Sequence, residues 1–312
     1  MEKVIYDIET LRNTLIICFY NIDRSVRKSI IVHENESCLK LVSFLKFIKD
    51  CTFIGYNNLA FDAQILEYVW HNPFATAYDV YNEAQRIIDL KNDMSDKSYL
   101  EIIPEWKLNF KQRDIYKIKH YDSMAKRTSL KFLEFSFRQP NVLEIPIHYS
   151  ESITREQIQI VEDYCWNDIE TTLHAWNVFQ DDIISREQLS EEFEVNVLNA
   201  SEPRVVKTIF LSELAKKLGT TVKELKQRNE DYKKTVRPFK IKVPEWIQFE
   251  DLRFQKVKHQ FEETLINPFN TKKSLSFHYK WRNIEIHHGL GGLHACIKPG
   301  VYNADNQYII RD

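Results

Sequence analysis

The amino-acid sequence predicts an α/β fold in which a mixed β-sheet is covered by helices. Three stretches rich in β-branched and aromatic residues open the chain, and the short segments between them suit antiparallel hairpins. These predicted strands are residues 3–8, 14–20 and 27–33. A segment with apolar residues at helical spacing and then a further strand follow. A helix between strands predicts a crossover connection to a parallel strand, so the sheet should contain both antiparallel and parallel pairs.

Helices and strands continue to alternate along the first part of the chain. In chain order the patterns predict a helix at 38–49, a strand at 51–56, a helix at 60–70, a strand at 115–121 that ends at Asp122, and a short helix at 129–137. The polar stretch 92–98 predicts an exposed loop. A long helix is expected over 153–179, because Ser152 and Thr154 are candidate caps and Glu156 suits the first turn.

The pattern changes beyond residue 185. Residues 205–218 predict a helix that Gly219 ends. Residues 233–285 mix basic with aromatic side chains, which suits either a surface facing a nucleic acid or an interdomain surface. The sequence therefore predicts two parts, 1–185 and a C-terminal α+β extension at 186–312.

Composition excludes several classes of protein. The 312 residues carry a formal net charge of −2, so a nucleic acid would have to be held by local basic groups or by metal ions. The five cysteines are odd in number and form no C-x-x-C pair, which favours reduced thiols. No apolar run approaches the roughly 20 residues that span a membrane, and no signal peptide opens the chain. We therefore expect a soluble, cytoplasmic protein.

Two carboxylates lie on the first predicted strand, within Tyr6-Asp7-Ile8-Glu9-Thr10. Asp7 and Glu9 project from the same face because strand side chains alternate. Neighbouring carboxylates repel unless a cation lies between them, and hard divalent cations take oxygen ligands. The alternative is a strand that merely ends in acidic residues, since so short a motif often occurs by chance.

Further carboxylates lie at or within predicted helices. Asp62 lies at the start of the helix after strand 51–56, where it could also simply complement the helix N-terminus. Asp168 lies inside the long helix, and Tyr164 shares its face one turn earlier. Apolar neighbours flank Asp168, and a buried, uncompensated carboxylate is costly.

Together these motifs carry a family resemblance. Tyr6-Asp7-Ile8-Glu9-Thr10, Asn58-Leu59-Ala60-Phe61-Asp62 and Tyr164-x-x-x-Asp168 resemble the three motifs of the DEDD 3′→5′ exonucleases. The tyrosine makes the chain similar to the DEDDy branch found in family B DNA polymerases, especially those of bacteriophages. The resemblance covers about residues 1–180. It implies an RNase H-like (DnaQ-like) fold with a mixed five-stranded sheet flanked by helices.

The resemblance also implies a metal-dependent site. Asp7, Glu9, Asp62 and Asp168 would bind two Mg²⁺ or Mn²⁺ ions, with Asp7 bridging both; oxygen-only ligation disfavours zinc. Two ions about 4 Å apart activate the attacking water and stabilise the departing 3′-oxygen. Tyr164 would orient that water, because a phenol with a pKa of about 10 is a poor base at neutral pH.

The same resemblance implies DNA contacts from Asn58, Phe61, Ser129, Leu130 and Lys131. Asn58 and Phe61 match positions that grip the terminal nucleotides, Phe61 by stacking on a base, although a buried Phe in the core is an alternative. Ser129-Leu130-Lys131-Phe132-Leu133 resembles a motif that contacts single-stranded DNA in protein-primed members. Lys131 could bind phosphates or could simply be solvated.

The C-terminal glycines extend the resemblance. Gly291 and Gly292 resemble the glycine pair that links the exonuclease and polymerase regions of family B enzymes and contacts the template strand. Asp312 ends a predicted strand and resembles the first metal-binding carboxylate of the polymerase palm.

Histidines also cluster in this region. His287, His288 and His294 could suggest a metal, but no Cys or carboxylate accompanies them at ligand spacing, so the sequence does not predict a metal site there.

The expected function is therefore proofreading. The chain would be the 3′→5′ exonuclease part of a DNA-directed DNA polymerase encoded by a bacteriophage, releasing mononucleotides from single-stranded 3′ ends. Its partners would be primer–template DNA and the remaining polymerase polypeptide, and this chain alone would not polymerise. Two alternatives stay open: a free-standing DEDD exonuclease acting on RNA or oligonucleotides, and a non-catalytic nucleic-acid-binding module.

Overall fold

The computed structural model describes residues 2–92, 101–123, 126–140 and 142–267, together with the strand segments 277–281, 284–288, 295–297, 300–304 and 307–311. Gly291, Gly292, Asp312 and most of the loop expected at 92–98 lie outside the described residues. The chain forms two compact units, Met1–Leu214 and Ala215–Asp312.

A mixed five-stranded sheet forms the centre of the first unit. Its strands are β1 (Lys3–Leu11), β2 (Thr14–Asn21), β3 (Arg27–His33), β4 (Thr52–Gly55) and β5 (Lys111–Asp114), in the spatial order β3-β2-β1-β4-β5. β1 pairs antiparallel with β2 and parallel with β4, β2 pairs antiparallel with β3, and β4 pairs parallel with β5. The three predicted N-terminal strands and their hairpins are confirmed.

Helices flank this sheet, which confirms the predicted α/β class. They are α1 (Leu39–Phe47), α2 (Asp62–His71), α3 (Ala77–Asn92), α4 (Ile115–Ile118), α5 (Leu130–Ser136), α6 (Ile158–Val178) and α7 (Gln180–Glu192). The next helix, α8 (Glu202–Leu218), packs its Val205 against Val197 and Ala200 instead.

Side chains of β1 alternate between two hydrophobic cores. Tyr6 packs into the core that α1, α2 and α3 form on one face of the sheet. Ile5 and Leu11 pack into the core that α4, α5 and α6 form on the other face. By the same alternation Asp7 and Glu9 project toward the α6 layer.

The strand predicted over 115–121 is wrong. β5 ends before it, and α4 begins at once because the Asp114 carboxylate accepts hydrogen bonds from the backbone N–H groups of Tyr116 (3.0 Å) and Lys117 (3.4 Å). β5 has the polar sequence KQRD, so no apolar pattern marks it, and only its pairing with β4 makes it a strand. Asp122 therefore follows a helix rather than a strand.

The fully buried Asp114 carboxylate also holds the loop before α2. It accepts hydrogen bonds from the N–H groups of Asn57 (3.0 Å) and Leu59 (3.2 Å). Asn57 has a left-handed backbone with φ of +61°, which turns the chain into the 3₁₀ turn Asn58–Ala60. This turn leads directly into Asp62, the first residue of α2.

The first unit extends further along the chain than the boundary expected after residue 185. The Arg186 side chain on α7 donates hydrogen bonds to the backbone oxygens of Ile118 and Ala200, both at 2.8 Å. Asn199 accepts a hydrogen bond from the N–H of Asp114 (2.8 Å) and donates to the oxygen of Gln112 (3.0 Å). These contacts tie α7 and the segment after it to the edge of the sheet.

The second unit combines helices with short antiparallel strands. Its elements are α9 (Val222–Thr235), β6 (Phe239–Lys240), α10 (Leu252–Glu263), β7 (Leu265–Ile266), β8 (Phe277–Trp281), β9 (Ile284–His288), β10 (Ala295–Ile297), β11 (Gly300–Ala304) and β12 (Gln307–Arg311). β9 lies between β8 and β10, and β11 pairs with β12. Among the residues that the structure describes, no helix is long and apolar enough to cross a membrane.

We predict that Asp114→Ala lowers the free energy of unfolding by about 3 kcal/mol or more, because it leaves several buried N–H groups without an acceptor. Asp114→Asn should cost less, since its amide oxygen still accepts. Denaturant unfolding measures both effects. The exposed carboxylate Asp122 supplies the control, and a loss for Asp122→Ala as large as that for Asp114→Ala would contradict the prediction.

Candidate metal centre

Carboxylates from β1 and α6 meet at one place in the first unit. α6 packs across β1 and β2, and the buried Cys165 donates a hydrogen bond from its thiol to the backbone oxygen of Asp7 (3.5 Å). This packing turns Asp168 toward the acidic face of β1. One carboxylate oxygen each from Asp7, Glu9 and Asp168 lies within 4.8 Å of the other two. The structure thus brings these three residues together, as the sequence predicts.

Asp62, at the start of α2, acts electrostatically on the same cluster. It is only 7% exposed at the start of α2. Its negative charge raises the pKa values of Asp7 and Glu9. It lies outside the set of three whose oxygens are within 4.8 Å of one another.

Burial and mutual repulsion raise the pKa values of the clustered carboxylates. Burial and then the charge of Asp62 raise the pKa of Asp7 to about 8. Burial and then the charge of Asp7 raise the pKa of Asp168 to about 8. The pKa of Glu9 is raised well above its usual value, first by burial and then by Asp7. Each ionised carboxylate therefore makes the next one harder to ionise.

The donor atoms fit a hard divalent cation. Oδ2 of Asp7 and Oδ1 of Asp168 are buried and have no hydrogen-bond partner among the described residues, an arrangement that normally calls for a ligand. Every donor in the cluster is a carboxylate oxygen, which suits Mg²⁺ or Mn²⁺ better than zinc.

Tyr164 and Lys131 border the cluster. A hydrogen bond from the Tyr164 hydroxyl lowers the pKa of Asp168. Burial, followed by the charge of Asp168, raises the pKa of Tyr164, so its hydroxyl keeps its proton. The Lys131 ammonium lies 5.3 Å from the centre of the Tyr164 ring and also lowers the pKa of Asp168. Lys131, expected to contact phosphates, thus lies beside the carboxylates.

Glu134 is a residue of this site that the sequence reasoning missed. It is fully buried on α5 and accepts hydrogen bonds from Asn167 (2.6 Å) and Thr171 (3.0 Å) of α6. Its negative charge raises the pKa of Asp168. Its place on the apolar face of α5, one position after Leu133, is the signal that could have found it.

The other predicted DNA-contacting residues fall into different environments. Asn58 has no exposed surface, and its side-chain amide donates a hydrogen bond to the side chain of Gln112 on β5 (2.8 Å). In this structure Asn58 therefore holds the turn before α2 against the sheet and is not a surface residue. Phe61 is half-buried against the α1–α3 core. Ser129 is exposed, but its hydroxyl accepts from the N–H of Phe132 (3.1 Å) and caps α5.

Leu130 is half-buried against the core on the α6 side of the sheet.

We predict that Asp7→Asn raises the stability of the metal-free protein at pH 8 by up to about 5 kcal/mol, because the pKa of Asp7 rises from 3.8 to about 8 on folding. The pKa of Asp7 is higher in the folded than in the unfolded protein, so the folded state favours the protonated carboxyl. This contribution to the free energy of unfolding is fully present below about pH 4 and is lost as the pH rises toward 8. Asn does not ionise, so Asp7→Asn does not lose this stability as the pH rises. The difference in stability between Asp7→Asn and the wild type should shrink toward pH 4. Thermal unfolding across this pH range measures it.

The exposed Asp163, on the same helix as Asp168, provides the matched control. Asp163→Asn should follow the wild type at every pH. Added Mg²⁺ should stabilise the wild type and narrow the gap to Asp7→Asn. A wild type that is as stable as Asp7→Asn at pH 8 without metal would contradict the repulsion described above.

Comparisons of the chain with protein-family models, with curated proteins and with solved structures gave no match.

Proposed function

We propose that this chain is a divalent-metal-dependent 3′→5′ exonuclease of the DEDDy type, acting on single-stranded DNA and built on an RNase H-like fold. The observation that carries the proposal is the set of carboxylate oxygens from Asp7, Glu9 and Asp168 within 4.8 Å of one another. The mixed sheet order, with β1 between an antiparallel and a parallel neighbour, is compatible with that fold. The spacing of the three sequence motifs supports the same assignment.

The carboxylates would hold the metal ions. Asp7, Glu9, Asp62 and Asp168 would hold two Mg²⁺ or Mn²⁺ ions, with Asp7 shared between them as the family resemblance implies. Bound divalent ions would make the attacking water more acidic and neutralise charge on the scissile phosphate. The raised pKa values of the carboxylates mean that metal binding must displace protons, so affinity should increase with pH up to about 8.

Tyr164 and Lys131 would act on the substrate side of the carboxylates. The Tyr164 hydroxyl keeps its proton, so it can donate a hydrogen bond and orient a water molecule but cannot act as a base near neutral pH. The Lys131 ammonium, held over the Tyr164 ring, supplies a positive charge for a phosphate. The chain thus offers one positioning donor and one cation beside the acidic cluster.

We further propose that the exonuclease proofreads for a DNA polymerase of family B type. The resemblance of Gly291, Gly292 and Asp312 to family positions supports this step. Primer–template DNA and a polymerase polypeptide would be the partners.

A labelled single-stranded DNA with a free 3′ end provides the decisive assay. In Mg²⁺ the chain should release mononucleotides from that end, and Asp7→Ala should lower the rate by at least about 1,000-fold, because it removes a shared metal ligand. Asp163→Ala should match the wild type. No release of mononucleotides from DNA would overturn the proposal, and a preference for RNA would favour the free-standing RNA exonuclease instead.

Tyr164→Phe separates a positioning role from a basic one. We expect a loss of about 10- to 100-fold in the single-turnover rate, because the hydroxyl that orients the water is gone while the carboxylates remain. The pH–rate profile should keep its shape, since Tyr164 does not titrate in the working range. A loss as large as that of Asp7→Ala, or a missing limb of the profile, would contradict the positioning role.

A further inference from the structure

The hairpin of β8 and β9 places two histidines and a carboxylate on one face of the second unit. His278 lies directly opposite His287 in the antiparallel register, and Lys280 lies opposite Glu285. Residues two positions apart in a strand point to the same side, as do directly opposed residues. His278, Glu285 and His287 therefore converge, although they are not adjacent in the sequence.

The distances within this group are short. One ligand atom each from His278, Glu285 and His287 lies within 4.8 Å of the other two. The two imidazole ring centres are 4.3 Å apart, and Nε2 of His287 lies 3.8 Å from a carboxylate oxygen of Glu285. Ligand atoms around a tetrahedral zinc ion lie about 3.3 Å apart, so small side-chain rotations would complete the geometry.

An unsatisfied polar atom points to a ligand independently of these distances. Nε2 of His287 is buried and has no hydrogen-bond partner among the described residues. The 3.8 Å separation from Glu285 is too long for a hydrogen bond. A buried ring nitrogen of this kind normally finds a donor, an acceptor or a metal.

We propose that His278, His287 and Glu285 bind a divalent transition-metal ion of the zinc class. Two imidazoles with one carboxylate suit Zn²⁺, whereas Mg²⁺ prefers oxygen ligands alone. Three protein ligands leave a fourth position for water or for an external ligand. This site shares no residue with the acidic cluster and does not depend on the exonuclease proposal.

The ion would stabilise the hairpin. β8, β9 and β10 form a three-stranded sheet whose strands are only three to five residues long, so few backbone hydrogen bonds hold it together. A metal that joins β8 to β9 adds its binding free energy to the folding of that region. Lys280 faces Glu285 across the ribbon, so zinc and the Lys280 ammonium would compete for this carboxylate.

Zinc titration of the full chain in excess Mg²⁺ tests the proposal, because Mg²⁺ fills the carboxylate cluster and leaves imidazoles unoccupied. A chromophoric chelator would report the affinity, and Co²⁺ substituted for Zn²⁺ would report imidazole coordination by its visible absorption. We expect one zinc ion per chain. His278→Ala, His287→Ala and Glu285→Gln should each weaken binding by more than about 10-fold.

His259→Ala is the matched control, since His259 is an exposed histidine on α10 of the same unit. It should bind zinc as the wild type does. Circular dichroism would check that each variant folds, and Glu285→Gln retains the shape of the side chain if an alanine variant fails. A wild type that takes up no zinc in excess Mg²⁺, or a loss for His259→Ala equal to that for His287→Ala, would overturn the proposal.

Discussion

Repulsion among half-buried carboxylates is the constraint on which the first unit depends. Asp7, Glu9 and Asp168 bring oxygens within 4.8 Å of one another, although like charges so close oppose folding. They stay together because each lies on a rigid element: β1 is hydrogen-bonded on both edges, and α6 buries its apolar face against β1 and β2. The apolar packing of the sheet and of α6 thus offsets an electrostatic cost that a divalent cation would remove.

Two buried carboxylates outside the cluster support its geometry. Asp114 accepts backbone N–H groups both from the loop before Asp62 and from α4, so it couples β5 to the start of α2. Glu134 accepts from Asn167 and Thr171 and so couples α5, which carries Lys131, to the helix of Asp168. Both oxygens of Asp114 accept hydrogen bonds, whereas only Oε1 of Glu134 does, and its Oε2 is buried without a partner among the described residues. In both cases the hydrogen bonds fix the position of a neighbouring functional side chain.

Local patterns predict these elements unequally. The N-terminal hairpins follow from runs of β-branched and aromatic residues, whereas the polar β5 is a strand only because it pairs with β4. The burial of Asn58 is likewise not predictable from its local sequence. A Cβ on Gly55 would lie 2.6 Å from Cβ of Asn58, so the fold buries Asn58 against Gly55, and no feature of its sequence motif indicates that burial.

The sequence by itself determined the residue types and local spacings: Asp7 and Glu9 on one strand face, and Tyr164 one turn before Asp168. These follow from the periods of strands and helices, which depend only on neighbours along the chain. Only the tertiary structure decided what meets across elements. Strand pairing brings His278 to Glu285 and His287, and packing between α5 and α6 brings Lys131 to Tyr164. Such contacts arise from burial and long-range pairing, which residue spacing alone does not encode.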